Sequence, residues 1–184
     1  MYPSVTPAQI RFATVADADA LAAFGRRSFI DTFADTNPIG NLLAYVDSVY
    51  APAIQQRELL DPAICCLVAV RDSELIAFAQ LRRGKMSPGV HDPTAIELQR
   101  FYVDRSAHGT GLAQALMDRC LAYASDHGAG TLFLGVWEQN ARALRFYAGR
   151  GFTEVGRQVF RMGDDEQQDL VLARSLAASD SATA

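Results

Sequence analysis

The chain has 184 residues, 49% of them apolar and 21% charged, with a net charge of −4. That is enough for one sizeable core and too short for two ordinary domains, so residues 1–176 are expected to form a single domain. The acidic balance, with no Lys/Arg-rich run, excludes a nucleic-acid binder working by counterion release, and the longest apolar run, residues 63–70, is too short to cross a bilayer.

No basic stretch followed by a long apolar segment opens the sequence, which makes a cytoplasmic protein the expectation. In chain order, residues 10–13 read as a short strand. Thr14-Val15-Ala16-Asp17 then supplies a capping-box start, predicting a helix from near Val15 with Leu21, Phe24, Ser28 and Phe29 on related faces. A second helical region is predicted over 39–60; it stops before Asp61-Pro62 because a residue that precedes proline is pushed out of the α region. Residues 64–70 and 75–81 form two strands around the turn Arg71-Asp72-Ser73-Glu74. Gly84, Pro88, Gly89 and Pro93 mark an exposed loop, followed by a longer strand over 94–103.

Leu112, Leu116, Cys120 and Tyr123 recur at helical spacing, and that helix ends near His127-Gly128 and returns to a strand over 131–136. A crossover of this length makes the strands on either side of it parallel and right-handed. A second crossover helix covers 140–150, and strands over 152–162 and 167–174 form a terminal hairpin around Gly163-Asp164-Asp165-Glu166. Residues 177–184 lack an apolar anchor and are expected to be a disordered tail. The order implies an α/β fold: a mixed sheet of about seven strands, mostly antiparallel with one central parallel pair, flanked by about four helices.

The stretch 97–113, ELQRFYVDRSAHGTGLA, runs from a strand through a glycine turn into a helix. The first amides of a helix lack intrahelical partners and sit at the positive end of its dipole, so this junction suits a phosphate or pyrophosphate. It is neither a Walker loop, since Leu112 and Ala113 follow Gly111 where Lys and Ser/Thr would be needed, nor a three-glycine dinucleotide fingerprint. Read as His108-Gly109-Thr110-Gly111-Leu112-Ala113, it resembles the Q/R-x-x-G-x-G/A motif of the GCN5-related N-acetyltransferases (GNAT), with His108 at the usual Gln/Arg position. Downstream, Asn140, the pair Phe146-Tyr147 and Gly151-Phe152 resemble the family's second diagnostic stretch. On the run Leu134 to Asn140 with Arg145-Phe146-Tyr147, the early Asp31-Thr32-Phe33-Ala34-Asp35 and the late Met162-Gly163-Asp164-Asp165, the chain looks most like the bacterial spermidine/spermine N-acetyltransferase subgroup.

The resemblance implies a fold in which the parallel pair splays to admit the pantetheine arm of acetyl-CoA. It also implies an acetyl-CoA-dependent transfer to a primary amine. The pyrophosphate would lie on the amides of His108, Gly109, Thr110, Gly111, Leu112 and Ala113, and the arm against backbone groups of Phe101, Tyr102 and Val103. Asn140 would cap its helix and touch the coenzyme. An alkyl ammonium with a pKa near ~10.4 must lose a proton before it attacks, and the departing thiolate must gain one. The family pattern makes Tyr147 the acid beside the sulfur; several members place a base at the position of Glu97, often acting through water, with Glu138 as a spare and water with backbone carbonyls as the further alternative, and direct attack in a ternary complex follows. The acceptor would be a polyamine or another small amine. A protein N-terminus or lysine is the alternative acceptor, and a noncatalytic coenzyme A-binding module is the alternative class. A homodimer is one assembly open to it.

Three cysteines, two of them adjacent at Cys65 and Cys66, and three unclustered histidines suit neither a disulfide framework nor a zinc site, so buried thiols and no metal are expected. Cys120 lies on the apolar stripe of its helix, which favours packing over an acetyl-cysteine route.

Overall fold

The computed structural model of the chain describes residues 6–163 and 165–176. Its elements are β1 (Gln9–Phe12), α1 (Ala18–Phe33), α2 (Ile39–Val49), α3 (Pro52–Leu60), β2 (Ile64–Arg71), β3 (Glu74–Arg83), β4 (Ile96–Val103), α4 (Leu112–Asp126), β5 (Thr131–Trp137), α5 (Ala141–Gly149), β6 (Thr153–Met162) and β7 (Asp165–Ser175). They form one seven-stranded sheet in the order β1-β2-β3-β4-β5-β7-β6. Neighbours are antiparallel except β4 and β5, as the crossover through α4 requires. This is the single-domain α/β arrangement that the order of elements in the sequence implies.

The two faces of the sheet are covered differently. On one, Leu116, Met117 and Cys120 of α4 and Tyr147 of α5 pack on Leu98, Leu132 and Leu134. On the other, Leu21, Phe24 and Phe29 of α1 and Leu42 and Val46 of α2 pack on Val68 and Phe78. The capping box expected at Thr14 is present: the Asp17 carboxylate accepts from the Thr14 amide at 2.7 Å. It introduces a single 3-10 turn, Val15–Asp17, before α1 begins at Ala18.

The helical region expected over 39–60 is two helices, which brings the number of α-helices among the described residues to five. Pro52 opens α3 at its first turn, and Ala51 before it is extended at φ −70, ψ 143, for the same steric reason that applies at Asp61-Pro62. The break has a structural result. Tyr50 turns inward, buried, and its ring lies where any side chain on Gly25 of α1 would stand. The Arg100 guanidinium of β4 sits 5.1 Å from the centre of that ring.

The loop over 84–95, expected to be exposed, is held against the sheet. Val90 and Ala95 are buried with Phe133 and Val171, and the loop backbone at Pro88 and Gly89 packs on the β6 backbone at Val155 and Gly156. The terminal hairpin is tighter than expected, since β7 starts at Asp165. Asp164 and the tail over 177–184 lie outside the described residues. No helix among the described residues is long and apolar enough to cross a membrane. Cys65, Cys66 and Cys120 are all free and buried.

Candidate active site

The parallel strands diverge almost at once. β4 and β5 pair only at Ile96 with Leu132 and Glu97 with Phe133, and beyond that point their facing edges have no sheet partner. The divergence coincides with a bulge. β4 pairs Arg100 with Gln80 and Leu98 with Leu81 of β3, leaving Gln99 as the extra residue. A bulge bends its strand and increases the local twist, which carries the rest of β4 away from β5. The gap is a cleft of about 510 Å³. Phe101, Tyr102, Val103, Gly135 and Val136 line it from the strands, and Ser28, Asp31, Thr32 and Phe33 from the end of α1.

At the mouth of the cleft stands the glycine turn. Asp104 accepts from the Ser106 amide at 2.9 Å and starts a 3-10 turn over Arg105–Ala107. Gly109 at φ +76 and Gly111 at φ +86 then bring the chain to α4 in a left-handed conformation that few side chains tolerate. Gly111 is the N-cap of α4; no side chain caps that end and its first turn holds no acidic residue. The opening amides therefore point out unopposed at a positive helix end, a fit for the pyrophosphate of acetyl-CoA. His108 lines the cleft, and its Nε2 donates to the Val103 carbonyl at 3.0 Å, so the residue at the usual Gln/Arg position ties the turn to the end of β4. The turn is also tied to α1: Arg105 donates to the Asp31 carbonyl at 3.0 Å, and Arg27 lies 3.5 Å from the Asp104 carboxylate.

The opposite wall comes from α5. Asn140 caps it by accepting from the Ala143 amide at 3.1 Å, and it lines the cleft as well. Tyr147 reaches the same space from a nest of aromatic rings, with centroids at 5.4 Å from Phe146, 5.7 Å from Phe152 and 6.4 Å from Phe101. Burial pushes its hydroxyl far above the usual phenol value and the nearby Cys120 adds to this, with no donor or cation acting the other way. The group is a firmly protonated donor at neutral pH.

The carboxylates proposed from sequence lie elsewhere. Glu97 is buried at the closed end of the parallel pair, where its Oε1 accepts from Lys85 at 2.7 Å. Its Oε2 is buried and unpartnered, as is the side-chain oxygen of Gln99, which does line the cleft. Glu138 is exposed and pairs with Arg157 at 3.3 Å. Cys120 is fully buried beneath α4, and burial raises its thiol far above the ordinary value, so the group is neither accessible nor activated. No cluster of three or more metal-ligating side chains occurs among the described residues.

Two features of the cleft carried no sequence signal taken as functional. Arg100 lines it with its guanidinium buried behind β4, bonded to both oxygens of Glu58 at 2.6 and 3.0 Å and to Gln80 at 2.5 Å. It pins the bulged strand to α3 and β3. The other is Gly135, exposed in the middle of the sheet and forming part of the cleft floor. An arginine facing a glutamine across two apolar strands was the available clue to the first.

An opened parallel pair, an amide cradle at a helix start and a buried tyrosine on the far wall define an acyl-CoA-dependent transferase. The sequence model of the acetyltransferase (GNAT) family matches residues 23–152, more than half of the chain, and the protein belongs to that family. It is 37% identical over 160 residues to an uncharacterized N-acetyltransferase of Mycobacterium bovis, covering 87% of this chain and 98% of that one. An uncharacterized N-acetyltransferase of Lactobacillus delbrueckii is 28% identical, with 87% and 92% covered. Among solved structures, the PaiA N-acetyltransferase of Thermoplasma acidophilum in complex with coenzyme A superposes with a TM-score of 0.76 at 20% identity, covering 92% of this chain and 99% of that one. The chain is thus an acetyl-CoA-dependent N-acetyltransferase.

Proposed function

We propose that the chain acetylates a small cationic amine by direct attack within a ternary complex in the cytoplasm, a polyamine being the acceptor suggested by the subgroup resemblance. The observation that carries this reading is that the amide cradle, the unpaired edges of β4 and β5, and Tyr147 all face one cleft. The lining on its α1 side is acidic, Asp31 and Asp35, while Arg105 and Arg142 stand by the glycine turn and α5, so a positively charged acceptor is favoured on the α1 side.

Acetyl-CoA, when bound, supplies the acyl group and a thiol leaving group. The amides of Gly109, Gly111, Leu112 and Ala113 hold its pyrophosphate, those of His108 and Thr110 being bonded to the carbonyls of Arg105 and Ala107, and Phe101, Tyr102 and Val103 offer backbone groups to the arm. Asn140, besides capping α5, faces it from the other side. Tyr147 donates its proton to the departing sulfur. Glu97, whose buried Oε2 has no hydrogen-bond partner, removes the proton of the amine through water.

A thiol-release assay with acetyl-CoA against spermidine, simple monoamines and peptides with free N-termini tests this. The expected result is turnover with spermidine that weakens as salt rises, since charge attraction between exposed groups is screened over about 10 Å at 0.1 M. Turnover with a peptide N-terminus alone would transfer the reading to protein acetylation. Coenzyme binding without turnover on any amine would leave a noncatalytic module.

A further inference from the structure

Gly135 occupies an unusual place: a central strand of a seven-stranded sheet, yet exposed. Its missing side chain would point off the sheet toward two polar groups. A Cβ there would stand 2.7 Å from the Gln158 amide nitrogen of β6 and 3.4 Å from the Asp169 carboxylate of β7. The glycine therefore leaves a window in the side-chain cover of the sheet at the edge of the cleft, bordered by the Gln158 amide and the Asp169 carboxylate on the same face.

The rest of the recess is aromatic. Trp137 is the sheet neighbour of Asp169, and its ring lies 6.0 Å from Phe33, a residue that lines the cleft. Tyr45 of α2 packs edge-on against Phe160 at 5.4 Å, and the Asp169 charge is felt at its hydroxyl. Burial pushes Asp169 up to about 6, and no cation or hydrogen-bond donor acts to lower it. A half-buried carboxylate without compensation, ringed by aromatic faces and open to the cleft through a glycine, lacks one thing: a positive partner.

We infer that Asp169 receives the cationic nitrogen of the acceptor, entering through the window left by Gly135. This rests on the acetyltransferase reading above and adds to it the residue that selects an organic ammonium. Trp137 and Phe33 are placed to cover the attached methylenes, and the Gln158 amide borders the same space. Asp169 holds and orients the amine, while the proton leaves toward Glu97.

The pH dependence follows with a definite sign. Asp169 is charged above about 6, so amine affinity is full there and is lost as pH falls through that value. The group facing it from α2, Tyr45, is pushed up to about 12 by burial and stays neutral throughout; Trp137 and Gln158 do not titrate. Asp31 and Asp35 stand at the cleft wall formed by the end of α1.

The test uses the full chain saturated with coenzyme A, spermidine and butylamine as probes, and the Asp169→Asn variant. By calorimetry, wild type should bind spermidine and the variant about tenfold or more weakly, the usual consequence of losing one charge-assisted bond. In steady state the variant should show a raised KM for the amine, kcat within about threefold and no acid limb near pH 6, whereas Glu97→Gln should lower kcat instead. Gly135→Ala, which closes the window with one methyl group, should weaken amine binding and leave coenzyme affinity unchanged, and it carries the test if Asp169→Asn fails to fold. Failure of wild type to bind either amine, unchanged amine affinity in the variants, or a fall in kcat with KM intact for Asp169→Asn would each overturn the inference. Wild-type turnover on the amines with unaffected variants overturns only this assignment; absent turnover despite amine binding overturns only the catalytic reading.

Discussion

The His108 ring donates its Nε2 proton to the carbonyl of Val103, linking the glycine turn to the last residue of β4. The imidazole, itself part of the cleft lining, thereby braces the cradle against β4. His108→Ala should cost about 1 kcal/mol of stability, the ordinary net value of one such bond, and raise the KM for acetyl-CoA several-fold with little change in kcat. Hydrogen exchange at the amides of residues 104–111 should quicken in the variant; unaltered exchange and an unaltered KM would show the brace to be idle.

Gly111 carries the sharpest backbone demand in the cradle. Its φ of +86 penalises any β-branched residue, although no heavy atom stands within 4 Å of a would-be Cβ. Gly111→Val should therefore fold, with a stability loss of about 1–2 kcal/mol from strain alone. Calorimetry should find acetyl-CoA affinity abolished, because relieving the strain rotates the first amides of α4. Unchanged affinity in a folded variant would remove the pyrophosphate from this turn.

For Tyr147→Phe, coenzyme affinity should be nearly preserved while kcat falls by about 100-fold or more, the scale of general acid catalysis. The ring contacts with Phe101, Phe146 and Phe152 survive the change, so a loss of turnover reports the hydroxyl alone. A kcat within about twofold of the parent would mean that the sulfur takes its proton from another source.

Away from the cleft, the Arg11–Asp17 pair predicts an acid limb of stability. The hydrogen bond from Arg11 lowers Asp17 from 3.8 to about 2, with the Thr14 amide adding to the effect against the opposing cost of burial. Because the folded value lies below the unfolded one, this contribution is present above about pH 4 and is lost as pH falls toward 2. Thermal melts of Asp17→Asn should show a lower Tm at neutral pH and a flatter decline over that window. A parallel decline in both proteins would assign the limb to other carboxylates.

The legible parts of the site were those encoded within a few consecutive residues. His108 to Ala113 and the run from Asn140 to Tyr147 each describe one strand-to-helix junction, where local backbone geometry dictates residue type. The bulge at Gln99, the Arg100 network with Glu58 and Gln80, and the meeting of Gly135 with Asp169 all depend on pairing between segments far apart in the chain. Nothing in a local pattern fixes such a register. The break at Pro52 is a different case. The rule that ends a helix before Pro62 applies equally at Ala51, and the apolar periodicity running across it hid the signal.

The contact between the 84–95 loop and β6 bears on how the molecule can be engineered. Gly89 and Gly156 meet backbone to backbone, leaving room for a Cβ on neither side. From its prolines and glycines, that loop would be the natural choice for grafting a reporter domain or an affinity tag. An insertion there would pull Val90 from beside Phe133 and Val171 and loosen the support under β5 and β7, the strands that carry Gly135 and Asp169. The tight turn at Asp72 and Ser73 between β2 and β3 is exposed and belongs to neither of those strands, but Arg71 beside it donates to Ser106 of the cradle at 3.2 Å, so foreign sequence carried there would spare β5 and β7 and load the coenzyme end of the cleft instead.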